Sequence, residues 1–127
     1  MTQNIHNLIY ERLEKITCGL LRFLSSPDGY LKLKSQGFMD LTIERIGSDE
    51  ISLTHYYEQN GDLVADPDMQ IRINFDNKTA EALTFQDWIC FRCVYPEPDK
   101  VNLQLKKELN SFLLDWLKNL KRQGFYK

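Results

Sequence analysis

The sequence predicts an α+β fold: a five- or six-stranded antiparallel meander sheet with N- and C-terminal helices packed on one face. Three observations carry this. Apolar residues recur at helical spacing near both ends of the chain. Between Tyr30 and Tyr95, alternating apolar and polar runs are separated by short turn signals. The alternation leaves one apolar sheet face, which is the partner two amphipathic helices need.

The first helix is read from Ile5, Leu8, Ile9, Leu13, Ile16, Leu20, Phe23 and Leu24. Thr17 and Gly19 lie inside it, and an interior glycine costs about 1 kcal/mol against alanine. Gly19 therefore marks close packing or a bend. The run SSPDG at 25–29 ends the helix. Six alternating segments follow: LKLK, FMDLTIERI, EISLTHYYE, MQIRINF, TAEALTF and WICFRCVY. Their turns sit at 35–37, 47–49, 76–77 and 86–87, with an acidic loop at 58–68. Pro96 and Pro98 break the pattern, and Asp99 is the expected N-cap of the last helix. Leu105, Leu109, Phe112, Leu113, Trp116, Leu117 and Leu120 form its stripe, and Gly124 its stop. Residues 1–127 read as a single domain.

Hairpin registers that keep apolar residues together pair Ile43 with Leu53, Leu41 with His55 and Met39 with Tyr57. They continue with Leu53 opposite Ile73, Ile73 opposite Ala80, and Ala82 opposite Phe91. On the polar face, Arg72 then lies opposite Glu81 and Glu81 opposite Arg92, an Arg–Glu–Arg ladder. Tyr56 and Trp88 offer flat contact surfaces beside it. As a plain solvated face, such a ladder is worth about 0.2–1 kcal/mol per pair. As a binding platform, it would take a protein or a small anionic ligand. Leu83, Phe85 and Trp88 are its expected exposed apolar part, suited to a homodimer through the open sheet face.

Composition narrows the classes. The 127 residues carry a net charge of −2, which makes a nucleic-acid partner unlikely. No apolar run approaches the ~20 residues of a membrane span, and the start of the chain lacks the signal-peptide pattern. The expected location is cytoplasmic, and three cysteines fit reduced thiols. Cys90 and Cys93 have C-x-x-C spacing, but within a strand they point to opposite faces. No phosphate-cradling glycine loop and no H-E-x-x-H occurs, and no cofactor is expected.

The stretch HYYEQNGDLVADPDM at 55–69 concentrates acidic residues without a lysine or arginine. Glu58, Asp62, Asp66 and Asp68, with His55 at the strand end, could form an oxygen-rich metal site. The EF-hand pattern fails, since Leu63 and Met69 stand where glycine and glutamate are needed. The structural alternative is a turn at Asn60-Gly61 with aspartates capping backbone amides and His55 facing the core.

The runs HYYEQNGDLVADPDMQIRI and CVYPEPDKVNLQLKKELNSFLLDWLKNLKRQG resemble the bacterial YqiB-like domain-of-unknown-function families. They are also similar to small proteins of mobile elements that share an E-Q-N-G-D-L-x-x-D-P stretch. The resemblance implies a small stand-alone cytosolic protein. It supplies no activity and no catalytic residues.

Two functions follow. The leading expectation is a non-catalytic binding or interaction domain, using Tyr56, Arg72, Glu81, Trp88 and Arg92 with the 58–68 loop. The alternative is a metal-dependent hydrolase at the acidic loop, with His55 as base or ligand.

Overall fold

Helix α1, Ile5–Thr17, starts at Asn4, whose side chain accepts the Asn7 N–H at 3.0 Å. The computed structural model describes residues 4–127, so the first three residues of the expected domain lie outside it. Ile9, Leu13 and Ile16 bury one face of α1. The helix does not run on to Leu24. Cys18 takes a left-handed conformation with φ 57°, and Gly19 has φ 125°, open mainly to glycine. A second helix, α2, Leu20–Ser25, starts afresh, and Glu14 Oε1 accepts the Leu20 N–H at 2.8 Å. The bend read at Gly19 is thus a break, and Cys18 is exposed there.

Six strands form one antiparallel sheet in chain order: β1 Tyr30–Leu33, β2 Leu41–Arg45, β3 Glu50–Gln59, β4 Asp62–Asn74, β5 Thr79–Gln86 and β6 Phe91–Cys93. Ile43 pairs with Leu53 and Leu41 with His55, as expected. The ladder stops there, so Met39 never meets Tyr57.

The β3–β4 hairpin departs from the expected register by four residues: Leu53 faces Met69 rather than Ile73, and Ile51 faces Ile71. The reason is the stretch expected to be a loop. Asn60 (φ 55°) and Gly61 (φ 86°) form a two-residue turn, and the strands close on it until Gln59 faces Asp62. Two positive φ values in sequence suit the twist of a tight hairpin. The mismatch is absorbed further down. Thr54 faces Asp68 and Tyr56 faces Ala65, so Asp66 and Pro67 on β4 oppose His55 alone. Proline has no N–H for the ladder, which suits it to this bulge.

Strand β5 starts in the expected register, with Arg72 opposite Glu81 and Ile73 opposite Ala80. Leu83 is then an extra residue, because Ile71 faces Ala82 while Gln70 faces Thr84. Leu83 is consequently buried, not part of an exposed patch. The next turn is wider than two residues. Asp87 Oδ1 accepts the N–H groups of Ile89 and Cys90, each at 2.8 Å, and β6 begins only at Phe91. Arg92 therefore faces Phe85, not Glu81.

Helix α3, Leu103–Arg122, begins at Asn102 rather than Asp99, and the Asn102 side chain accepts the Leu105 N–H at 3.0 Å. It ends before Gly124 (φ 94°), as expected. Helices α1 and α3 pack on each other and on β5. Between helices and sheet lie Leu13, Leu53, Ile71, Leu113, Leu117 and Leu120, all fully buried. The small Ala80 and Ala82 lie in this core. Asn110 of α3 reaches the β5 backbone, where its Oδ1 accepts the Ala82 N–H at 2.8 Å.

Candidate functional site

Among the described residues, the other sheet face carries no helix. Its rungs follow from the registers: Lys32, Thr42, Thr54, Asp68 and Gln86 in one row, and Glu44, Ser52, Gln70 and Thr84 in the next. The short side chains Thr42, Ser52, Thr54 and Thr84 are buried even so. Thr54 donates to Asp68 Oδ1 at 3.0 Å. Burial raises the Asp68 pKa, and the Thr54 bond only partly opposes this. The Tyr56 phenol is raised as well, first by burial and then by the Asp68 carboxylate.

One rung further, a charged cluster gathers on Glu81. Its carboxylate lies 3.7 Å from Arg72 and 3.2 Å from Lys106 of α3, and accepts the Tyr95 hydroxyl at 2.8 Å. Arg72 also meets Glu50 at 3.6 Å and stands over the Tyr95 ring, 5.7 Å from its centre. The Lys106 pKa is raised by its bond to Tyr95, with the Glu81 charge adding to this against a cost of burial.

The structure brings Arg72 and Glu81 together and separates the rest of the expected platform. Tyr56 lies on the open face, beside Thr54 and Asp68. Trp88 is 66% exposed in the β5–β6 turn, several rungs from Arg72. Arg92 faces Phe85, whose ring packs edge-on against Phe112 of α3, so Arg92 lies on the helix side. The expected Arg–Glu–Arg ladder is replaced by a cluster of Glu50, Arg72, Glu81, Tyr95 and Lys106.

The proposed metal ligands do not converge. Glu58 faces Leu63 and Asp62 faces Gln59 on adjacent rungs, so these two carboxylates point to opposite sides of the hairpin. Asp66 sits in the bulge and Asp68 is bound to Thr54. Among the described residues, no group of three or more His, Cys, Asp or Glu side chains could hold a metal ion. His55 is in the core, with Nδ1 3.1 Å from the Asp40 carbonyl oxygen. Its ring lies 5.6 Å from Trp116 and 5.7 Å from Phe125. Among the described residues it joins no metal-holding cluster with those carboxylates.

A family model described as Domain of unknown function (DUF6908) matches residues 5–126. The chain belongs to DUF6908. No curated protein and no solved structure matches it. The match takes in every helix and strand of the fold. It supports the domain-of-unknown-function part of the expected resemblance and does not extend to a YqiB-like relationship.

Three members of the DUF6908 cluster escaped sequence reasoning: Glu50, Tyr95 and Lys106. Glu50 meets Arg72 only in the register set by the tight Asn60-Gly61 turn. Tyr95 lies just past the last strand, where the prolines hide any periodicity. Lys106 left a signal. A lysine within two turns of a helix start opposes the helix dipole and calls for a partner.

Proposed function

We propose that this DUF6908 chain is a small cytosolic bacterial protein acting as a non-catalytic interaction domain. A protein partner docks on the open sheet face and the projecting end of the β3–β4 hairpin. One observation carries this reading. β2 pairs with β3 only up to His55, and β5 pairs with β4 only down to Asp68. Residues 56–65 therefore form a two-stranded ribbon whose arms pair only with each other. A lone ribbon is marginal in water, and its free backbone edges can accept another chain. Its exposed Leu63 and the half-exposed Tyr56 supply apolar contact, with Glu58 as a charged rim.

A protein fits this face better than a small anion does. Arg72 is already bracketed by Glu50 and Glu81, and Arg92 is on the helix side. Three unpaired cysteines favour a reducing compartment. Among the described residues, no helix is long and apolar enough to cross a membrane.

The test is comparative purification from the producing cells. Wild type and a Leu103→Ser control on α3 should recover the same partner, and a Tyr56→Ser/Leu63→Ser variant should lose it more than tenfold. Equal recovery by all three overturns the reading. Sedimentation of the purified chain shows whether the partner is a second copy.

A further inference from the structure

The N-terminal ends of α1 and α3 leave two adjoining cavities that share His6 and Lys106 in their walls. The larger, about 350 Å³, is also lined by Ile5, Leu103, Lys107 and Ser111, and no carboxylate lines it. The smaller, about 220 Å³, adds the polar side chains of Arg72, Asn74, Thr79 and Glu81. His6 is fixed in place, with Nδ1 3.1 Å from the Ala80 carbonyl oxygen. A carbonyl only accepts, so Nδ1 carries the hydrogen and Nε2 is left for a ligand.

The donors of the larger cavity are underused. Among the described residues, the Lys107 ammonium and the Ser111 hydroxyl make no hydrogen bond or ion pair, whereas Lys106 is tied to Glu81 and Tyr95. Neither α1 nor α3 has an acidic residue in its first turn. Helix α3 instead places Lys106 and Lys107 close to its start, where like-signed dipole charge disfavours them. Of the two, Lys106 is already paired with Glu81, and Lys107 is, among the described residues, the lysine left without a counter-charge.

We infer that the paired cavity binds a small phosphate monoester with a hydroxylated body. The phosphate sits against Lys106, Lys107 and Ser111 in the larger half, with His6 at the junction. Hydroxyls reach Thr79 and Glu81 in the smaller half, where the Glu81 carboxylate accepts hydrogen bonds and repels a second anion. The site lies away from the β3–β4 ribbon, so it stands or falls independently of the partner surface.

The probes are inorganic phosphate, glycerol 3-phosphate and glycerol, titrated calorimetrically at constant ionic strength. Glycerol 3-phosphate should bind saturably and more tightly than phosphate, and glycerol should not bind. Lys107→Ala and Ser111→Ala remove side chains that hold nothing else, so the fold should survive, and each should weaken binding at least fivefold. Lys118→Ala, near the other end of α3, should leave it unchanged. Absence of saturable binding by the wild type overturns the site, as does equal weakening by Lys107→Ala and Lys118→Ala. Equal affinity for phosphate and glycerol 3-phosphate overturns the role of the smaller cavity.

Discussion

The covered and open faces of the sheet are made from alternate residues of the same strands, yet they are held by different physics. On the covered face, Leu53, Ile71 and Ile73 are stabilised by removal from water, and any neighbour of suitable shape would serve. On the open face, Thr54, Asp68, Arg72 and Glu81 are stabilised by particular partners at particular distances. Removing a residue from the first should cost far more than removing one from the second. The second is where a single change alters charge and contact without unfolding the chain.

The largest effect should come from Leu53→Ala, a fully buried truncation. It should destabilise by about 2–5 kcal/mol in urea unfolding, and a loss below about 1 kcal/mol would erase the contrast between the faces. Asn110→Ala comes next. It leaves the Ala82 N–H without its acceptor beside the core, at a cost of about 1–3 kcal/mol. Conversion to Asp, whose carboxylate can still accept, should recover part of the loss.

Glu81→Gln on the open face should cost about 1 kcal/mol, because the contacts are partly solvated. It should also lower the Lys106 pKa, as seen by NMR titration, since one of the groups holding it up has lost its charge. Asp68→Asn should be the smallest change and the only stabilising one. Burial raises the folded-state pKa of Asp68, so its protonated form favours the fold. That contribution is present at low pH and is lost as pH rises from the ordinary carboxylate value of 3.8 through the raised one. Asp68→Asn should thus raise Tm modestly at neutral pH, with the advantage vanishing in acid. A Tm difference independent of pH would show that ionisation at this position does not matter.

The sequence carries periodicity well and insertions badly. The two helical stripes, the six strands and their order were legible from spacing, as were Ile43 opposite Leu53 and Arg72 opposite Glu81. The two bulges were not. Leu83 looks like one more alternating residue, and Asp66-Pro67 looks like loop rather than strand. Each shifts the pairing beyond it, and the wide Asp87 turn shifts it again, so Arg92 and Arg72 part company. The inward position of His55 was legible because the pairing with Leu41 does not pass through a bulge. Tyr95 and Lys106 come from outside the sheet, and no strand register could have brought them to Glu81.

The ribbon at 56–65 also bears on how the chain can change over evolution. Because its arms pair with no other strand, its length is not fixed by the rest of the sheet. Adding or deleting one residue on each arm keeps the Asn60-Gly61 turn and the remaining pairs, but it rotates the tip by one rung. Leu63 would then exchange faces with its neighbours. Steps of two residues per arm preserve the presentation of Leu63 and move it outward by about 7 Å. Length variation here should therefore be even on each arm, and it should follow the size of whatever the tip must reach.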